Sequence, residues 1–132
     1  MKNIFKPGDQ KVFRKKIEES DTAGFFSGMV HPVYSTFSIA RDAEWSGRLF
    51  VLDLKEENEE GIGTAVSVAH HAPAFAGEEV SFVSTLKSIN RHEIKTIYEA
   101  RVNNRLIASG EQSQKIFSLE KLEKILSAAS YD

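Results

Sequence analysis

The chemistry this sequence can do starts from Glu44. It sits in "ARDAEWSGRLF", inside the most apolar stretch of the chain. A carboxylate in such surroundings is costly unless paired, and burial would raise its pKa toward the range of a general base or nucleophile. The plainer reading is an ion pair with Arg48 one helical turn on, contributing roughly 0.2–0.5 kcal/mol. Thr36 stands eight residues earlier, either as a helix cap or as a hydroxyl for a substrate. Eight residues of one helix rise by about 12 Å, so the two side chains cannot grip one atom. Either Thr36 precedes the first turn, or the two touch different parts of an extended substrate.

Two of the four histidines arrive together in "GTAVSVAHHAPAF", residues 63–75. Neighbouring residues of a strand point to opposite faces, so His70 (with Val66 and Val68) and His71 (with Ser67 and Ala69) do not form a pair. Each has a structural reading, a strand-end imidazole bonded to a backbone carbonyl, beside a chemical one. At the head of the same run Gly63 offers a bare backbone N–H, the kind of donor an oxyanion needs.

Other chemistries lack their residues. With no cysteine and no HxxxH, and with His31 and His92 apart in turns, no metal site is expected. G-x-S-x-G is absent, and "GIG" at 61–63 is too short for a phosphate loop. Basic residues number 17 against 19 acidic, a net charge of -2, so no nucleic-acid partner is expected.

The elements that must position these groups follow from length and pattern. At 132 residues, 41% hydrophobic and 27% charged, the chain reads as one globular domain over 1–132. "MKNIFKPGDQKVFRKK" contains no apolar run that could act as a signal peptide or membrane span, which predicts a cytoplasmic protein without membrane association. "QKVFRKKIEES" predicts a half-exposed edge strand. "DTAGFFSGMVHPVYS" predicts an irregular but buried loop, with Phe25, Phe26, Met29, Val33 and Tyr34 covering apolar surface. A helix begins at Ser35 or Thr36 and is apolar on most sides, from Phe37 through Trp45 to Leu54, which predicts burial all round. It ends at "KEENEEG". From Ile62 to about Phe117 the pattern predicts antiparallel strands, with turns at "AFAGEE", "NRHE" and the Asn103–Asn104 pair, where asparagine tolerates positive φ at both positions. "SLEKLEKILSAAS" predicts a closing amphipathic helix capped by Ser118.

One long helix buried on most sides needs a sheet that wraps around it. The expected class is therefore α+β, a hot-dog fold, with a curved antiparallel sheet around one long central helix. The uncovered face and free edge of such a sheet predict a homodimer.

Three stretches together resemble the fluoroacetyl-CoA thioesterase-like family of hot-dog acyl-CoA thioesterases. They are "VYSTFSIARDAEWSG", "GIGTAVSVAHHAP" and "LIASGEQSQKIFSLEKL", and the likeness runs from about Val30 to Leu122. The resemblance implies hydrolysis of a short or medium acyl-CoA, with no cofactor beyond the coenzyme A of the substrate and no metal. Thr36 would bond the acyl group or the glutamate, and Glu44 would be nucleophile or general base on water. His70 would orient or protonate, and Gly63 would help hold the thioester oxygen. The loop carrying Val33 and Tyr34 would line the acyl pocket, and His71 would be structural. In the last strand Gln114 stands where a family member carries arginine. Two alternatives accompany this reading: a hot-dog module that binds an acyl ligand without catalysis, and an enoyl-CoA hydratase. The hydratase fits poorly, since Asp42 has no histidine five residues on.

Overall fold

The computed structural model describes residues 1–25 and 28–130; Phe26, expected in the covered loop, and the side chain of Phe25 lie outside the described residues. The strands are β1 (Gln10–Lys16), β2 (Thr22–Phe25), β3 (Gly28–Tyr34), β4 (Glu59–Val66), β5 (Ala69–His70), β6 (Glu79–Asn90), β7 (Glu93–Val102) and β8 (Arg105–Ser118). The helices are α1 (Thr36–Leu54) and α2 (Leu119–Ala129). A six-stranded antiparallel sheet runs in the order β1-β6-β7-β8-β4, with β5 continuing beside β8, and β2 and β3 pair separately. This is the expected α+β hot-dog architecture, one long helix held against a curled sheet.

Period-two alternation directs the inner face of the sheet. Val80, Phe82 and Leu86 of β6 and Ile94, Tyr98, Ala100 and Val102 of β7 are buried, as their spacing predicts. Helix α1 sets Ile39, Ala43, Phe50, Val51 and Leu54 against them. Full burial of one such side chain contributes roughly 1.5–3 kcal/mol. The core falls into two clusters, one around Tyr34, Ile39, Phe82 and Tyr98, the other around Phe50, Leu54, Leu86 and Ile94. Between them lies a polar seam. Thr96, Gln112 and Gln114 are buried on the sheet, and Gly47 of α1 rests on Gln112 so closely that a Cβ there would stand 1.9 Å from Nε2. A glycine in a helix interior costs about 1 kcal/mol relative to alanine; here it is what allows the helix to approach.

Several expectations need correction. The supposed covered loop is the β2–β3 hairpin, and its residues Met29 and Val30 are exposed. Helix α1 is not buried all round: Phe37 is 80% exposed and Trp45 and Leu52 are also open, because the single-layered sheet covers one side only. The run from Gly63 is divided into β4 and β5 by Ser67 and Val68, although Ser67 N still donates to Glu111 O and the register on β8 is kept. At the Asn103–Asn104 turn only Asn103 takes positive φ, 52°. Helix α2 is capped by Ser118 as expected, yet it buries none of its residues.

The two sheet edges differ in kind. The β1 edge is guarded by Lys11, Arg14, Lys15 and Lys16, a standard defence against strand pairing. The β4 edge runs Gly61-Ile62-Gly63-Thr64-Ala65-Val66 without a charge, and from Ile62 onward it is exposed.

Candidate active site

The turn into α1 settles what Thr36 does. Ser35, not Thr36, is the N-cap: its Oγ accepts from Ser38 N at 3.0 Å. Thr36 is thereby the first helical residue and its hydroxyl is free of capping. It lies 3.0 Å from His70 Nδ1. The turn itself is tied down by Tyr34 N donating to Ala74 O at 2.8 Å and Ser35 N donating to Asp21 O at 2.9 Å.

His70 is presented by β5, paired with Ala108 of β8. His71 turns elsewhere: its N–H donates to Ile107 O at 2.7 Å, and its Nε2 lies 2.8 Å from Ser109 Oγ. The two histidines have separate partners, as strand alternation requires.

Glu44 departs from expectation in one respect. It is exposed rather than buried, because it sits on the flank of α1 that overhangs the β4 edge. Nor does it pair with Arg48, whose guanidinium donates to Glu60 at 2.8 Å instead. Its carboxylate lies directly over Gly63, where a Cβ would stand 1.8 Å from Oε1. Beneath it, Gln114 Nε2 donates to the Glu44 backbone carbonyl at 3.2 Å, and Gln114 is also the cross-strand partner of Gly63.

The structure therefore brings Thr36 to His70 and Glu44 to Gly63, along one side of α1. It does not bring Tyr34 to the surface. Tyr34 is fully buried and its hydroxyl donates to the Asp42 carboxylate. Burial, with the Asp42 bond second, pushes that phenol far above its ordinary range. Val33 is half-buried and bridges to Phe75.

Sequence reasoning missed the charge cluster at this end of the helix. Asp42 and Asp21 are both buried. Arg41 donates to Asp21 at 2.7 Å and to Asp42 at 3.1 Å, and Lys15 lies 2.9 Å from Asp21. Burial alone would raise the Asp21 carboxyl. The bonds from Arg41, the Glu18 N–H and Lys15 outweigh it and hold the group down at about 2. The signal was present in the spacing, since Ile39, Asp42, Ala43 and Ser46 share the inward face of α1. Among the described residues no group of three metal-ligating side chains forms, and no helix is long and apolar enough to cross a membrane.

The family model for FlK, the fluoroacetyl-CoA-specific thioesterase, matches residues 17–120. The chain belongs to this family. Its chemistry is hydrolysis of an acyl-CoA thioester, and the chain is accordingly a thioester hydrolase. A Thermus thermophilus hypothetical protein, described as a thioesterase superfamily member, is 30% identical over 96% of this chain and 93% of its own, with TM-score 0.90. The structure of the fluoroacetyl-CoA thioesterase FlK superimposes with TM-score 0.84 at 20% identity, over 96% of this chain and 98% of its own. A hot-dog-like protein from Thermanaerovibrio acidaminovorans gives TM-score 0.84 at 21% identity, over 95% of this chain and 93% of its own. No curated protein matches the sequence.

Proposed function

We propose that this chain, as one domain over residues 1–132, hydrolyses the thioester of a short or medium acyl-CoA with Thr36, Glu44, His70 and Gly63. The observation that supports the reading is that these four residues, from two stretches of sequence and three elements (α1, β4 and β5), line one side of α1 in two contacts, Thr36 with His70 and Glu44 with Gly63. The thioester lies between the contacts. Glu44 takes a proton from water, and the water oxygen adds to the carbonyl carbon. Gly63 has no side chain and so leaves room for the Glu44 carboxylate, while its backbone N–H helps hold the thioester oxygen. A Thr36 hydroxyl that donates to His70 Nδ1 leaves the imidazole proton on Nε2. The C–S bond then breaks and the proton that Glu44 took from water passes to the leaving sulfur, which the Nε2–H of His70 orients, releasing free acid and the thiol of coenzyme A. No cofactor beyond that coenzyme and no metal enters the scheme.

The same reading makes the protein a homodimer. The β4 edge, uncharged from Gly61 and exposed from Ile62 onward, is the surface that a second copy covers; the lysine-guarded β1 edge, whose Phe13 packs on Trp45, is not. Pairing there encloses the Glu44 flank and shields the water from bulk solvent. The working compartment is the cytoplasm.

Thiol release across a panel of acyl-CoAs tests the function. Glu44→Gln and His70→Ala should each cut turnover to a residual rate, about a hundred-fold or more below wild type, while keeping the wild-type circular dichroism spectrum. Wild-type turnover in both variants would refute it.

A further inference from the structure

The polar seam that divides the core has no part in the mechanism above, and its geometry is specific. Thr96 of β7 and Gln112 of β8 are cross-strand partners, and Gln112 Nε2 donates to Thr96 Oγ1 at 2.5 Å. Two residues on, along the same face of β8, Gln114 Nε2 donates to Gln112 Oε1 at 3.0 Å and to the Glu44 carbonyl at 3.2 Å. All three side chains are buried. A run of apolar residues would fill this space at less risk, since buried amides are costly unless every one finds its partner. The backbone carbonyl of a helix residue has a second lone pair beyond its intrahelical bond, and Gln114 takes it up.

Gln114 is also paired through its backbone with Gly63. One residue thus touches both halves of the Glu44 contact, the strand that provides the seat and the helical turn that provides the carboxylate. Height and rotation of α1 over the sheet decide where that carboxylate lies. Apolar packing is non-directional and fixes neither tightly, whereas a hydrogen bond to a defined carbonyl fixes both. Gln112, bonded to Gln114 and Thr96 and pressed against Gly47, keeps the Gln114 amide from turning away.

We propose that Gln114 is a positioning residue for hydrolysis, held by Gln112 and Thr96, which registers the Glu44 turn of α1 over Gly63. The inference rests on the hydrolytic reading of Glu44. Its test is Gln114→Met, which keeps the volume and removes the donor, with kcat and KM measured on the acyl-CoA that wild type turns over best. The kcat should fall about ten- to a hundred-fold, the cost of a misplacement on the order of an ångström, with KM within about two-fold. Placed in a Glu44→Gln background, Gln114→Met should reduce the residual rate no further, because it acts through that carboxylate. If Gln114→Met does not fold, Gln114→Asn carries the same expectation, its amide being one methylene too short to reach both partners. A folded variant with wild-type kcat would overturn the proposal, and so would an undiminished effect in the Glu44→Gln background. Wild-type turnover by Glu44→Gln would instead refute the hydrolytic reading itself.

Discussion

Replacing Gly63 by alanine should separate activity from stability. The Cβ would be placed 1.8 Å from Glu44 Oε1 and 2.8 Å from its Cδ, whereas real Cβ contacts lie at 3.0 Å or beyond. The carboxylate must therefore retreat by about 1.2 Å or more. For the fold this is cheap. Glu44 is exposed, so its side chain can swing to another rotamer for about 0.5–1.5 kcal/mol. Alanine in a strand regains roughly 0.5–1 kcal/mol relative to glycine. The net change should be under about 1 kcal/mol, a few degrees of Tm for a domain of this size. For catalysis the same retreat is expensive. A misplacement of about 1 Å can cost on the order of a hundred-fold, some 2.7 kcal/mol of barrier. Thiol release and thermal unfolding on one preparation check both halves. Turnover within about three-fold of wild type would mean that the seat over Gly63 is irrelevant to the rate. A Tm lower by ten degrees or more would mean that the strand, and not the carboxylate, absorbs the clash.

The remaining expectations concern the fold. The bonds to Asp21 hold its carboxyl at about 2 against an ordinary 3.8, so its stabilisation is complete above about pH 5 and is lost as pH falls toward 2, at most about 2.4 kcal/mol. Thermal unfolding between pH 5 and pH 2 should show a steeper loss in wild type than in Asp21→Asn; parallel curves would refute the assignment. The Ser84 hydroxyl is fully buried and, among the described residues, has no partner. Ser84→Ala should therefore raise stability by about 1 kcal/mol in denaturant unfolding, and a destabilised variant would show that the hydroxyl is satisfied.

The sheet was legible because alternation survives wherever one face is buried: β6 and β7 place their inward residues as the pattern requires. The ends of α1 were legible from a hydroxyl cap and a charge run. What misled was apolarity itself. Phe37, Trp45 and Leu52 read as core, yet they are exposed, because an apolar run in sequence does not say how much of a helix the sheet covers. The Glu44 expectation failed for the same reason, since an apolar neighbourhood in sequence was taken for burial in space. For the site, the spacing of Thr36, Glu44, Gly63 and His70 was readable only through resemblance. Hydrogen bonds that link β8 to α1 across 70 residues leave no local pattern, so the role of Gln114 was invisible.

Helix and strand rise at different rates, and the two contacts join one length of each. From Thr36 to Glu44 the helix rises about 12 Å, whereas seven residues of unbroken strand extend about 23 Å, at 3.3 Å per residue. The strand does not find the difference at Ser67 and Val68, where the register on β8 is kept: Val66 faces Gln112 and Ala69 faces Ser109. Ser67 N donates to Glu111 O at 2.8 Å, and Tyr98, whose phenol burial pushes up to about 12, donates its proton to Ser67 O at 2.7 Å. A donor held protonated and anchored in the core thus ties Ser67 in place, and β5 stays on Ser109 and Ala108 with His70 beside Thr36. The departure from straight pairing comes at the other end, where a bulge between Gly63 and Ala65 takes up one residue against β8. A bulge bends its strand and adds twist, so the residue under Glu44 is also the place where β4 turns relative to the helix.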